Sequence, residues 1–139
     1  MISNFVNFIS TFGTDSPKEL PNIYSPLIEY EDPINKVQGL DHLHLVFEDT
    51  LKIFSEIKIE VKETSSTDHT AFVRWLMTYR FRKKDYSIDG VTLLEFDSSG
   101  LICKHTDYWD ASFPLYGTFA VLGFLMRAIK KMAAVKLPR

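Results

Sequence analysis

Two stretches of alternating character, Ile88 to Phe96 and Leu101 to Asp110, are separated only by Asp97-Ser98-Ser99-Gly100. A four-residue connection of turn formers, ending on a glycine able to adopt the left-handed conformation, folds such a chain back as an antiparallel hairpin. The residues upstream extend the same logic. From about His69 to Arg82, Ala71, Val73, Trp75, Met77, Tyr79 and Phe81 fall on one face of a strand, and Phe72, Arg74, Leu76, Thr78 and Arg80 on the other. Before it, Ile57, Ile59 and Val61 alternate with Lys58, Glu60 and Lys62, as in a half-buried strand.

The first half of the chain has a different period. Phe5, Phe8, Ile9 and Phe12 recur at helical spacing, and Leu43, Phe47, Leu51 and Phe54 form a second stripe, opposed by Glu48, Asp49 and Lys52. Ser16-Pro17-Lys18-Glu19 predicts a short helix with Ser16 as N-cap and Glu19 closing a capping box. Pro21 and Pro26 are expected to end it and pass the chain into an extended segment, Leu27 to Glu31, followed by a turn from Asp32-Pro33 to Gly39. Helices first and hairpin-linked strands afterwards predict an α+β fold, an antiparallel sheet with helices on one face. The length of 139 residues suits one domain.

The formal charge of −2 implies no general attraction to nucleic acid. A single cysteine rules out an intrachain disulfide framework and suits a reducing, cytoplasmic setting. The first cation is Lys18, so residues 1–17 lack the charged start of a secretory signal. No glycine-rich phosphate loop, nucleophile elbow or CxxC pair is present, and no cofactor is implied. Metal binding is disfavoured, because His42 and His44 point in different directions on a helix and His105 with Asp107 supplies too few ligands. The basic run Arg80, Arg82, Lys83, Lys84 reads as a solvated strand end and turn.

The order of elements, Tyr30-Glu31-Asp32-Pro33 after the first helices, and Gly100 followed by Asp107-Tyr108-Trp109-Asp110 together resemble the SnoaL-like branch of the nuclear transport factor 2-like superfamily. The resemblance covers residues 1–110, with residues 111–139 as a helical extension. It implies a cone, a curved antiparallel sheet whose N-terminal helices enclose an apolar pocket. Set against ketosteroid isomerase, Asp32 matches the base that moves a proton beside a carbonyl, and Thr92 falls where that enzyme keeps an oxyanion-hole aspartate. The oxyanion tyrosine has no counterpart, since no tyrosine precedes Tyr24. Set against limonene-epoxide hydrolase, Tyr30 and Arg74 match, Asp107 matches the basic aspartate, Asp32 replaces an asparagine, and Leu76 stands where the acid should be. The fold also carries non-catalytic binding domains, so activity does not follow from it.

Read by themselves, Cys103, His105, Asp107 and Trp109 share one strand face. On an inner face His105 and Asp107 could exchange protons with a ligand; equally, His105 could be a satisfied core histidine and Asp107 the partner of a buried Arg74. Asp32 is either part of the site or the head of an Asx turn before Pro33. The expected site is therefore Asp32, Asp107, Arg74, Tyr30 and His105, lined by Leu76, Thr92, Phe96, Trp109 and Phe47.

The expected partner is a hydrophobic small molecule, lipid-like or polycyclic, handled by proton transfer or water addition; the alternative is a non-catalytic binding or dimerisation module. The apolar Trp75 face suggests a homodimer through the sheet, or cover from the terminal helix. That helix is predicted from about Thr118 to Met132, with Phe119, Leu122, Leu125, Met126 and Ile129 packing and basic residues gathering at its C-terminal end. A membrane-surface helix is the rival reading, whereas a span would need about 20 apolar residues.

Overall fold

Alternation and amphipathic spacing translate into ten elements in the computed structural model, which describes residues 1–112, 120–136 and 138. They are α1 (Ile2–Ser10), α2 (Ser16–Ile23), β1 (Tyr24–Glu31), β2 (Lys36–Gln38), α3 (Leu40–Ile53), β3 (Ser55–Ser66), β4 (Thr70–Phe81), β5 (Lys84–Phe96), β6 (Ile102–Tyr108) and α4 (Ala120–Ala133). Met1–Trp109 forms one compact unit and Asp110–Arg139 another.

In the first unit the strands form one curved, open sheet in the order β2-β1-β6-β5-β4-β3. Its neighbours pair antiparallel except β1 and β6, which run parallel, so the sheet is mixed rather than purely antiparallel. Nothing local encodes that exception. The two strands lie far apart in sequence, and a parallel pair needs a long crossover, here the whole run from β2 to β5.

The hairpin at Asp97–Gly100 forms as expected, with Gly100 at φ 85° and the Asp97 carboxylate accepting from the backbone N–H groups of Ser99 and Leu101. The turn expected in the basic run forms between β4 and β5, although it lacks the usual turn residues. Arg82 and Lys83 both adopt positive φ, 49° and 66°, a conformation that glycine or asparagine ordinarily supplies. β5 therefore starts at Lys84, four residues before the alternation becomes visible. Across this turn Arg80 pairs with Asp85 on the exposed surface.

α2 departs from its predicted capping. Asp15 occupies the N-cap position, no side chain caps the helix, and Ser16 Oγ instead accepts from the Gly13 N–H at 2.8 Å. Pro21 lies inside the helix rather than ending it. Having no N–H, it cannot serve the Pro17 carbonyl one turn back. His44 of α3 takes over, donating from Nδ1 to that carbonyl at 3.2 Å.

The core lies between the sheet and its helices. Phe5, Phe8 and Ile9 of α1, Leu20 of α2, and Leu43 and Phe47 of α3 are buried against Tyr24, Ile28, Tyr30, Val73, Trp75 and Leu94 of the strands. Each such large side chain contributes about 1.5–3 kcal/mol on leaving water. Trp75 is 7% exposed, so its face of β4 is inward and belongs to the chain's own core. The proposed dimer through that face loses its motive, because no apolar sheet face is left there for a second subunit to cover.

In the second unit, Lys130 Nζ donates to Asp110 Oδ2 at 2.8 Å. Thr118 and Phe119, predicted to begin the terminal helix, lie outside the described residues, as does the side chain of Leu122. Leu125 and Ile129, expected to pack, are exposed.

Candidate active site

A row of polar side chains crosses the inner face of β4, β5, β6 and β1, and strand register explains why they meet. Thr92 of β5 faces Asp107 of β6 directly, Trp75 of β4 faces Gly90 of β5, and Tyr30 of β1 faces His105 of β6. The Trp75 indole N–H donates to Thr92 Oγ1 at 2.8 Å. Thr92 in turn donates its hydroxyl proton to Asp107 Oδ1 at 2.5 Å.

His105 lies between Asp107 and Tyr24. Its Nε2 is 2.7 Å from Asp107 Oδ1, and its Nδ1 is 3.0 Å from the Tyr24 hydroxyl. A carboxylate oxygen only accepts, so Nε2 carries the proton, and in the neutral ring Nδ1 accepts from Tyr24. Both ring nitrogens are thereby occupied inside the protein. The ring is 5.5 Å from Phe5 edge-on and 4.8 Å from Tyr30, and the side chain is only 5% exposed. His105 holds Asp107 from within the core.

Tyr30 joins the two acidic candidates. Its hydroxyl is 2.9 Å from Asp32 Oδ2 and 3.2 Å from Asp107 Oδ2, one proton serving two carboxylates. Burial, then the charges of Asp107 and Asp32, push the Tyr30 phenol well above its ordinary range. Burial, and then Asp107, do the same to Tyr24. Both phenols remain proton donors.

Asp32 satisfies both of its sequence readings at once. Oδ1 accepts from the backbone N–H groups of Ile34 and Asn35, at 2.7 and 2.6 Å, forming the Asx turn, while Oδ2 receives Tyr30. Asp107 accepts from Thr92, His105 and Tyr30, and 14% of its side chain remains exposed.

Four of the five expected site residues therefore converge: Tyr30, Asp32, His105 and Asp107. Arg74 does not. It lies on the outer face of β4, 46% exposed, between Glu63 of β3 and Asp89 of β5. The predicted buried Arg74–Asp107 pair is absent because a guanidinium is best kept hydrated, and the flanking strands supply carboxylates outside. Leu76 shares that outer face. Thr92 is inward, but its single hydroxyl proton goes to Asp107 rather than to a bound oxygen. Phe47 packs edge-on to Tyr30 at 5.8 Å, Phe96 is buried in the core, and Trp109 packs against that core.

Cys103 also leaves the expected face. Glu95 pairs with Lys104 and Phe96 with Ile102, so Cys103 is the extra residue of a bulge, and Ile102 turns inward in its place. Two network members lacked a local signal. Tyr24 directly follows a helix, and Trp75 was distinguishable only by knowing which face of β4 is covered. A separate open groove of about 450 Å³ between α1 and α2 is lined by Asn4, Asn7, Asn22 and Phe8 among others, and no network residue lines it.

A model of the SnoaL-like domain matches residues 5–105, which include five of the six strands completely and all of the network except Asp107. The chain belongs to the SnoaL-like domain family. Among solved structures this SnoaL-like domain is similar to a candidate SnoaL-like polyketide cyclase from Jannaschia sp. CCS1, at 11% identity over 97% of this chain and 92% of that one, TM-score 0.69. It is similar to a candidate hydroxylase from Streptomyces galilaeus, at 20% identity over 95% and 90%, TM-score 0.68. A third is a hypothetical protein with a ketosteroid isomerase-like fold from Catenulispora acidiphila DSM 44928 in complex with trimethylamine, at 13% identity over 80% and 85%, TM-score 0.68. At these identities the likeness establishes the fold. No curated protein matches by sequence.

Proposed function

We propose that the SnoaL-like unit binds an apolar small molecule beside Tyr30 and uses Asp107 as a general base. The observation that carries this reading is the Tyr30 hydroxyl within hydrogen-bond distance of both Asp32 and Asp107. A carboxylate fixed by three donors, yet still partly accessible, can accept a proton from a carbon beside a carbonyl or from a water molecule. Tyr30, kept protonated, can donate to the oxygen that gains charge. Neutralising Asp107 takes away one of the two acceptors of the single Tyr30 proton and so lets it turn to that oxygen. The candidate cyclase among the similar structures supports a small molecule as the class of ligand.

The test is proton exchange. Apolar cyclic ketones incubated with the protein in deuterated water should gain deuterium beside the carbonyl, and Asp107→Asn should abolish the gain while ligand-induced NMR shifts persist. Shifts without exchange in the unaltered protein would reject catalysis.

A second reading has its own support. Among the described residues, no buried side-chain nitrogen or oxygen lacks a hydrogen-bond partner, so the network is complete without a ligand. A non-catalytic module needs nothing more. In that case Asp107→Asn changes stability alone.

A further inference from the structure

We propose that α4 is a docking helix for an anionic phospholipid surface. At 100° per residue, Val121, Phe124, Leu125, Ala128, Ile129 and Met132 fall on one broad arc, Arg127 and Lys130 lie across from it, and Lys131 flanks its edge beside Phe124. The large apolar side chains of that arc are 49 to 86% exposed. An apolar patch of this kind in water signals an interaction surface.

Charge identifies the occupant. All 18 acidic residues lie at or before Asp110, with 11 of the 16 basic ones, so the residues after Asp110 carry five cations and no acid. Lys130 already holds Asp110, and Arg127, Lys131 and Lys136 extend the positive side. A protein groove would have to supply an apolar floor and a separate acidic rim. A bilayer of anionic lipid supplies both together, acyl chains beneath phosphates, at the depth an in-plane helix occupies. Among the described residues no helix is long and apolar enough to cross a membrane; an apolar arc along one side of α4 suits the in-plane orientation.

Vesicle flotation of the full chain tests this. With vesicles of equal parts phosphatidylglycerol and phosphatidylcholine the chain should float, with about tenfold less bound to phosphatidylcholine alone and release as salt rises. This comparison needs no variant. Phe124→Glu, and separately Arg127→Glu with Lys131→Glu, should each abolish flotation while far-ultraviolet circular dichroism stays unchanged. Equal binding to neutral vesicles, or binding insensitive to salt, overturns the proposal. So does a chain that never floats but forms a dimer by light scattering that Phe124→Glu dissociates, since a second copy then covers the face.

Discussion

The indole of Trp75 packs against Gly90, so close that a Cβ added at position 90 would fall 2.5 Å from two ring carbons. The absence of a side chain at Gly90 is what lets the ring settle with its N–H on Thr92, and Thr92 is thereby aimed at Asp107. Gly90→Ala should overpack this point and cost about 1–3 kcal/mol. Urea unfolding followed by Trp fluorescence measures the loss. An unchanged midpoint would mean that the ring has room to move, and that Gly90 does not position the site.

Asp107→Asn exchanges an acceptor of three hydrogen bonds for a group that must itself donate. Thr92, His105 or Tyr30 then loses its partner in a buried setting, at a cost of about 1–3 kcal/mol. Thermal or urea denaturation gives the magnitude. His105→Gln, which retains a donor, should cost less than His105→Leu.

Arg74 belongs to the outer surface, so Arg74→Ala should change stability by no more than about 0.5 kcal/mol. A double-mutant cycle of Arg74→Ala with Asp107→Asn should show additive effects. Coupling above about 1 kcal/mol would restore the buried pair that the strand faces argue against.

Tyr24 and Tyr30 set the alkaline limit. Their folded pKa values lie well above 10.0, raised first by burial, so the folded state holds these protons more tightly than the unfolded chain. Their stabilisation is complete below about pH 10 and is lost as pH climbs beyond it towards the folded values. Urea midpoints from about pH 9 to about pH 11 should fall, and phenolate absorbance from these two residues should develop only with unfolding. Tyr24→Phe should flatten the decline; a slope unchanged in that variant would reject the assignment.

The acid side has a smaller counterpart in the second unit. Lys130 and Ser112 lower Asp110 to about 2 from its ordinary 3.8. The stabilisation from this exposed pair is present above about pH 4 and is lost as pH falls towards 2. Lys130→Met should raise the Asp110 titration, followed by carboxyl NMR, part of the way towards 3.8, because the Ser112 hydrogen bonds remain.

Local periodicity determined much of this protein. The 97–100 hairpin, the Phe5–Phe8–Ile9 stripe of α1 and the Leu43–Phe47 stripe of α3 follow from two-residue and 3.6-residue repeats, which depend only on backbone geometry over a few residues. Tyr30, Asp32, His105 and Asp107 could be named because each lies on or beside such an element. Whether the Trp75 or the Arg74 face of β4 turns inward could not be read that way, since both carry bulky groups and the choice depends on what lies above the strand. The parallel pairing of β1 with β6 was equally hidden, and it is this pairing that brings Tyr24 to His105 across 81 residues of sequence. Such contacts have no local repeat. They exist because strands remote along the chain satisfy one another's backbone groups and, in doing so, align their side chains across the sheet.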